Sequence, residues 1–305
     1  MPAVSSQEPL FKEESILLHA NRELLALVRL EELMSRTAGR SEVGIGLIDG
    51  PLAVDHPDLS QNLRLLGAAP EAMCGGVGDQ ACSHGTFVAG ILAARRGSPA
   101  PALCPECTLL TRPLFKARAR GASPQELAAA IRDCVAAGAR ILNLSLGVLQ
   151  ATGLEQSALQ EEIDHAVRRG VLIVAAAGNE GSVGSSVLTR HPWVIPVVAC
   201  DRSGRPIGFS NLGRSIGHNG VRAPGDGIQS LGAGGSFLVS GGTSAAAPFV
   251  TGTLALLWSL YPHARAADLR SAVAASGGGA SLVPRLLDAQ AAWRRMGQSS
   301  NRFSM

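Results

Sequence analysis

Aromatic and charged side chains are scarce in this chain of 305 residues, at 4% and 17% of the sequence. The net charge of +3 comes from interspersed acidic and basic residues, so the charge pattern indicates neither a nucleic-acid partner nor an acidic tail. The N-terminal stretch lacks the apolar core of a secretory signal. The longest apolar stretch, residues 245–262, falls short of the roughly 20 residues that span a bilayer. We therefore expect a core helix there, no membrane partner and a cytoplasmic protein.

The sequence contains six cysteines, which are expected to be free thiols. Without a secretory signal they favour reduced side chains over a disulfide framework. Cys104 and Cys107 have the C-x2-C spacing that suits zinc, and Cys74 and Cys82 could complete a four-thiolate site. The seven residues between Cys74 and Cys82 are not a usual ligand spacing, however. Small buried thiols are therefore expected, with a disulfide among these four or a zinc site as the alternatives.

Apolar residues and glycine are abundant, at 46% of the chain and 36 residues respectively. Short apolar runs bounded by glycine, proline or polar residues predict strands that are buried on both faces. Amphipathic segments lie between them, and the clearest begins with a capping box at 123–126 and ends at Gly138. This alternation predicts an α/β fold with a mostly parallel central sheet flanked by helices on both faces. The five predicted strands are 43–49, 108–115, 139–147, 170–179 and 193–201.

Four polar residues stand beside glycine at the ends of these elements. Asp49 and Asn179 close strands, whereas His84 and Ser244 open apolar helices. In parallel sheets, chemistry gathers at the carboxyl ends of the strands. Serine, histidine, aspartate and an amide donor are the components of acyl transfer: nucleophile, general base, orienting carboxylate and oxyanion donor.

Seven segments occur in order along the chain: IGLIDGPLAVDHPDL, SHGTFVAGILAA, ILNLSLG, IVAAAGNEG, GFSNLG, VRAPGDGIQS and GGTSAAAPFVTG. In this order they resemble the successive blocks of the subtilisin-like serine peptidases. The resemblance implies a subtilisin-like three-layer fold and a serine endopeptidase. In such an enzyme Ser244 attacks the scissile carbonyl, His84 accepts its proton and Asp49 orients the imidazole. Asn179 and the backbone N–H of Ser244 then donate to the oxyanion.

The resemblance also implies how a peptide substrate binds. One edge of the cleft, where the peptide adds as a strand, is expected at Ser145, Leu146 and Gly147. The facing wall of the pocket for the residue before the cut is expected at Ala176, Ala177 and Gly178. The basic loop 116–121 corresponds to a segment that borders earlier substrate residues, which predicts a preference for acidic side chains there. The alternative is a solvated loop without a role in binding.

Three further features of the sequence refine the expected metal content, substrate and reaction. Two arginines and several prolines occupy residues 95–103, where calcium would need oxygen ligands, so we expect no metal and no cofactor. The blocks around Asp49, His84 and Cys104 are more similar to peptidases of cyanobactin-type precursor maturation, which implies cleavage of a leader from a ribosomally made peptide in the cytoplasm. No helical insertion is recognisable between Asp49 and His84, which favours hydrolysis. A transamidase or macrocyclase with the same triad and a catalytically idle peptide-binding scaffold are the alternatives.

We divide the chain into an N-terminal helical segment (1–38), a peptidase domain (39–295) and a C-terminal tail (296–305).

Overall fold

The computed structural model describes residues 21–67, 74, 78–114, 122–146, 153–274 and 281–302. Among these, ten strands are present. An eight-stranded sheet has the order β10-β7-β6-β5-β4-β1-β3-β2, and every neighbouring pair in it is parallel, whereas β8 and β9 form a separate antiparallel pair. The strands are β1 (Gly44–Asp49), β2 (Leu63–Leu65), β3 (Thr108–Pro113), β4 (Ala139–Leu144), β5 (Leu172–Ala176), β6 (Ile195–Cys200), β7 (Val221–Pro224), β8 (Ile228–Leu231), β9 (Phe237–Ser240) and β10 (Arg285–Leu286).

The sheet confirms the predicted α/β architecture, and the five predicted strands are β1, β3, β4, β5 and β6. The helices are α1 (described over 21–27), α2 (Glu31–Arg36), α3 (Gln80–Ala93), α4 (Pro124–Ala136), α5 (Gly153–Arg168), α6 (Val187–Arg190), α7 (Arg214–Asn219), α8 (Thr243–Leu260), α9 (Ala266–Val273) and α10 (Ala289–Arg302). The predicted capping box at Ser123 starts α4.

Alternate residues of the strands enter two separate cores, which is the expected result of the two-residue period of a strand. Ile141 of β4 packs in the core that contains α3 and α8. The next residue, Leu142, packs in the core that contains α4 and α5. The sheet therefore forms the middle layer of three.

Helix α8 is the central element of one outer layer. It packs against β4, β5, β6 and β7. By length and composition it is apolar enough to cross a membrane, but 89% of it is buried inside the fold. It is the core helix predicted from the apolar run, and its first turn is placed over the carboxyl ends of the central strands.

Two glycines allow the start of α3 to lie directly on the end of β1. A Cβ at Gly50 would stand 2.1 Å from the carbonyl oxygen of Ala81, and a Cβ at Gly85 would stand 2.4 Å from that of Pro51. Any larger residue would force the two elements apart. Asp79 caps the helix at this contact by accepting a hydrogen bond from the Ala81 amide.

The cysteines correct one expectation and confirm another. Cys74 and Cys82 form a disulfide with a Cα–Cα distance of 5.2 Å, so the expectation of reduced thiols is wrong for this pair. Cys82 lies in the first turn of α3, and the fold brings Cys74 within bonding range of it. The bond also excludes the four-thiolate zinc site. The other cysteines are buried free thiols, as predicted: Cys104, Cys107, Cys134 and Cys200.

Arg96 lies in the segment 95–103, where we expected the calcium ligands of the family to be missing. Its side chain binds backbone carbonyl oxygens. Its guanidinium donates to the carbonyl oxygens of Met34 (2.5 Å), Thr37 (2.8 Å) and Leu103 (3.2 Å). A side-chain cation thus links the C-terminal end of α2 to the loop after α3. Within the described ranges, no group of three or more His, Cys, Asp or Glu residues could hold a metal ion.

We expect Arg96→Met to lower the free energy of unfolding by about 1 to 2 kcal/mol, since three carbonyl oxygens lose a charged donor. Adding EDTA to the wild-type protein should leave the thermal midpoint unchanged. Arg95→Met is the matched control, because the Arg95 side chain makes no hydrogen bond within the described residues. Thermal unfolding of the three proteins with and without EDTA tests this. A large EDTA-induced drop that calcium reverses would contradict it.

Candidate active site

The predicted site residues converge because three adjacent strands end at the same edge of the sheet. Strands β1, β4 and β5 are neighbours. Asp49 is the last residue of β1, Ser145 directly follows β4, and Asn179 follows β5 after two residues. The carboxyl ends of parallel strands point the same way, so these side chains share one edge of the sheet.

Asp49 and His84 are joined by a short hydrogen bond. The Asp49 side chain is fully buried, and the Nδ1 of His84 lies 2.6 Å from its Oδ1. The Gly50 amide donates to the same oxygen, also at 2.6 Å. Because a carboxylate can only accept, Nδ1 carries the proton in this bond, and Nε2 of the imidazole is left to accept another. The imidazole itself is 37% exposed.

Burial and charge act on His84 in opposite directions. Burial of the ring lowers the pKa, but the negative charge of Asp49 and the hydrogen bond to it together raise the pKa of His84 above its ordinary value. The net rise means that the environment favours the imidazolium form. A base at this position is therefore helped to accept a proton during a reaction.

Ser244 stands at the second position of α8. The residue before the helix, Gly242, has a φ of +101°, a left-handed conformation that favours glycine. The first amides of a helix have no acceptor within it, and the helix dipole is positive at this end. The backbone N–H of Ser244 is thus directed to a place where negative charge is stabilised.

A chain of buried hydrogen bonds joins Ser244 to β4 and to the middle of its own helix. The Thr251 hydroxyl donates to the Asn143 Oδ1 at 2.8 Å, and the Asn143 Nδ2 lies 2.8 Å from the Ser145 hydroxyl. The Ser145 hydroxyl in turn donates to the backbone carbonyl of Ser244 at 2.9 Å. The side-chain groups belong to residues that are no more than 1% exposed. Sequence analysis did not anticipate this chain, because it joins residues about a hundred positions apart.

Asn179 is tied to the residue that precedes Ser244. Its Oδ1 accepts from both the backbone amide and the hydroxyl of Thr243, each at 3.0 Å. The Thr243 hydroxyl is also 3.2 Å from the amide of Gly178, which donates to it. Because the amide oxygen is engaged in this way, the Nδ2 of Asn179 remains as a donor for a ligand, on the same side as the start of α8.

The predicted substrate-binding residues lie at the ends of two paired strands. Leu144 of β4 is in register with Ala175 of β5, so the segments that begin at Ser145 and Ala176 continue side by side. Leu146, Ala176 and Ala177 are 7 to 9% exposed. The Ser145 hydroxyl has the additional role of holding α8. Gly147 and the basic loop 116–121 lie outside the described residues.

A cleft of about 240 Å³ opens beside His84, between the first turns of α3 and strand β9. Phe87 and Leu238 contribute apolar side chains to it, and Gln80, Ser83 and Ser240 contribute amide and hydroxyl groups. The lining residues are Gly78, Gln80, Ser83, His84, Phe87, Leu238 and Ser240.

A family model described as the subtilase family matches residues 40–290 of this chain. The chain belongs to the subtilase family. It is 28% identical over 252 residues to subtilisin DY of Bacillus licheniformis, covering 81% of this chain and 88% of that protein. It is 32% identical over 251 residues to subtilisin NAT of Bacillus subtilis subsp. natto, again over 81% of this chain, and spans 63% of the length of that relative. The family places the chain in the class of subtilisin-like serine endopeptidases.

Solved structures of other proteases show the same fold. The prenylagaramide maturation protease PagA superposes with a TM-score of 0.76 at 28% identity, over 88% of this chain and 98% of PagA. A mutant of the protease domain of PatA superposes with a TM-score of 0.78 at 30% identity, over 86% of this chain and 97% of that domain. The subtilisin-like three-layer fold expected from the sequence is thereby confirmed.

We expect His84 to titrate above the ordinary histidine pKa of about 6.5, because burial of the ring is outweighed by the charge of Asp49 and the hydrogen bond to it taken together. In Asp49→Asn the charge is lost while burial remains, so the pKa should fall to or below the ordinary value. NMR titration of the imidazole in the two proteins measures this. An unchanged pKa in the variant would contradict it. Because this pKa is raised in the folded protein, the stabilising contribution of His84 is complete below its unfolded pKa and is lost as the pH rises through its folded pKa.

Thr251→Val should destabilise the fold by about 1 to 3 kcal/mol, since it leaves the buried Asn143 Oδ1 without its donor. Thr253→Val is the matched control on the same helix, because the hydroxyl of Thr253 donates only to the helix carbonyl of Phe249. It should cost less than Thr251→Val. Urea unfolding of the two variants tests the difference, and equal costs would argue against the buried chain.

Proposed function

We propose that the chain cleaves peptide bonds with a triad of Asp49, His84 and Ser244. The observation that carries this proposal is the 2.6 Å contact between a fully buried carboxylate and a partly exposed imidazole at the end of the central strands. A buried charge is unfavourable unless it is paired, and here its partner is a group that can shuttle protons. The start of α8 is fixed at the same edge through Ser145 and Asn179.

In the proposed mechanism, the Ser244 hydroxyl attacks the scissile carbonyl and its proton passes to the Nε2 of His84. The imidazolium is stabilised by Asp49, in keeping with the raised pKa of His84. Negative charge on the carbonyl oxygen is stabilised by the Nδ2 of Asn179 and the N–H of Ser244. When the intermediate collapses, His84 protonates the leaving amine. Water then releases the acyl group from Ser244 by the same proton route.

The proposed substrate is a ribosomally made precursor peptide, from which the enzyme removes a leader by hydrolysis in the cytoplasm. Two maturation proteases among the similar structures, PagA and PatA, support this choice at 28 and 30% identity. The Cys74–Cys82 disulfide bears on the location, because cytosolic thiols are kept reduced. The proposal therefore requires that cleavage persist in reducing buffer.

Cleavage of precursor peptides encoded beside the gene, followed by mass spectrometry in reducing buffer, tests the proposal. We expect products that have gained one water molecule. Ser244→Ala should lose about 10⁶-fold in kcat and should no longer react with a fluorophosphonate, while its fold survives. Cleavage by the variant at a tenth of the wild-type rate would overturn the triad. Products lacking the added water would indicate transamidation instead.

A further inference from the structure

We propose that Asn211 is a positioning residue for the oxyanion donor Asn179, an inference that rests on the proposed function. Asn211 lies between β6 and α7, far from residue 179 in sequence. Its side chain nevertheless bonds to the loop that carries Asn179 on both sides of that residue. It touches none of the three triad residues within the described hydrogen bonds.

The Oδ1 of Asn211 is the acceptor for three donors of this loop. The amide of Glu180 donates at 3.1 Å, and the amide and hydroxyl of Ser182 each donate at 3.0 Å. The Nδ2 of Asn211 donates in the other direction, to the carbonyl oxygen of Ala177 at 3.2 Å and to the Oε2 of Glu180. One carboxamide thus fixes the backbone at 177 and at 180, and residue 179 is held between these points.

Backbone hydrogen bonds extend the same contact. The Asn211 amide donates to the carbonyl oxygen of Gly178 at 3.0 Å, and the Gly181 amide donates to that of Phe209 at 2.7 Å. Gly178 has a φ of +105°, and a Cβ there would lie 2.2 Å from the Nδ2 of Asn211. The loop therefore adopts a left-handed turn that only glycine fits, closely applied to the carboxamide.

Hydrogen bonds, rather than packing, order this loop. Residues 179–182 are exposed, so little apolar burial restrains them. A further restraint on Asn179 is the pair of bonds from Thr243 to its Oδ1, which act on the side chain alone. Without the Asn211 carboxamide the backbone at 177, 180 and 182 loses these bonds, although the main-chain bonds at Gly178 and Gly181 remain, and the Nδ2 of Asn179 is held less firmly where the oxyanion forms.

Such a displacement should affect the transition state more than substrate binding. An oxyanion donor must lie about 3 Å from the position of the developing charge, which differs from the position of the carbonyl oxygen in the bound substrate. A displacement of about 1 Å can cost 10²-fold in rate. The expected signature is a loss in kcat with little change in KM.

The test begins with wild type and Ser244→Ala on one model peptide. If neither protein cleaves the peptide, the proposed function fails, whereas the remaining outcomes concern Asn211 alone. If only the wild type cleaves, Asn211→Ala should lower kcat by about 10- to 100-fold with KM little changed. Asn21→Ala is the matched control, because the Asn21 carboxamide also joins segments far apart in sequence, through bonds to Pro99 and to Gln229 of β8. It should leave kcat unchanged, and an equal loss in this control would overturn the proposal.

A double-mutant cycle with Asn179→Ala separates positioning from an independent effect. If Asn211 acts through Asn179, the double variant should be no slower than Asn179→Ala alone. Multiplication of the two losses, or an unchanged kcat in Asn211→Ala, would overturn the proposal.

Should Asn211→Ala not fold, Asn211→Asp preserves the three accepted bonds and removes the two donated ones. Its new carboxylate oxygen would face the Oε2 of Glu180. Adding Glu180→Gln to Asn211→Asp supplies an amide donor opposite that oxygen. Measured against Glu180→Gln alone, the double variant should therefore lose less kcat than Asn211→Asp loses against the wild type. No loss in Asn211→Asp, or no recovery in the double variant, would contradict the proposed role.

Discussion

The buried charge of Asp49 is the constraint around which this molecule is arranged. A fully buried carboxylate is costly, and among the described residues its hydrogen bonds all go to one oxygen, from Gly50 and His84. The bond from His84 exists only because α3 lies directly on the end of β1, at a distance that the absence of side chains at Gly50 and Gly85 permits. The sheet positions Asp49, and the two glycines allow α3 to approach it. The charge of Asp49 then helps to raise the pKa of His84.

The remaining half of the site is held by a different kind of restraint. Ser244 and Asn179 carry no charge, and they are fixed by neutral hydrogen bonds that run between β4, the loop after β5 and the first turn of α8. Thr243 joins the two, because it is adjacent to Ser244 in sequence and bonded to Asn179 in space. A shift of α8 would therefore move the nucleophile and the oxyanion donor together, which preserves their relative geometry.

The sequence was sufficient for the central strands and for the residues at their ends. Continuous apolar runs identify β1, β3, β4, β5 and β6, and the capping box identifies α4, because these signals are local. Strands β2 and β10 have only three and two residues, too few to show a pattern. The Cys74–Cys82 bond, the buried chain from Thr251 to Ser244, and the contacts of Asn211 are long-range or depend on loop geometry. Hydrophobic periodicity contains no information about such pairings.

The position of α8 along the chain has a consequence for biosynthesis. A ribosome completes β1 through β9 before it reaches residue 243, yet α8 covers one face of β4, β5, β6 and β7. Until α8 emerges, a nascent chain exposes that apolar face and lacks Ser244. Parallel sheets fold slowly and are prone to aggregate while incomplete, so this interval favours association with a chaperone. Because the same helix covers this face and carries the proposed nucleophile, the proposed activity cannot precede the covering of the sheet.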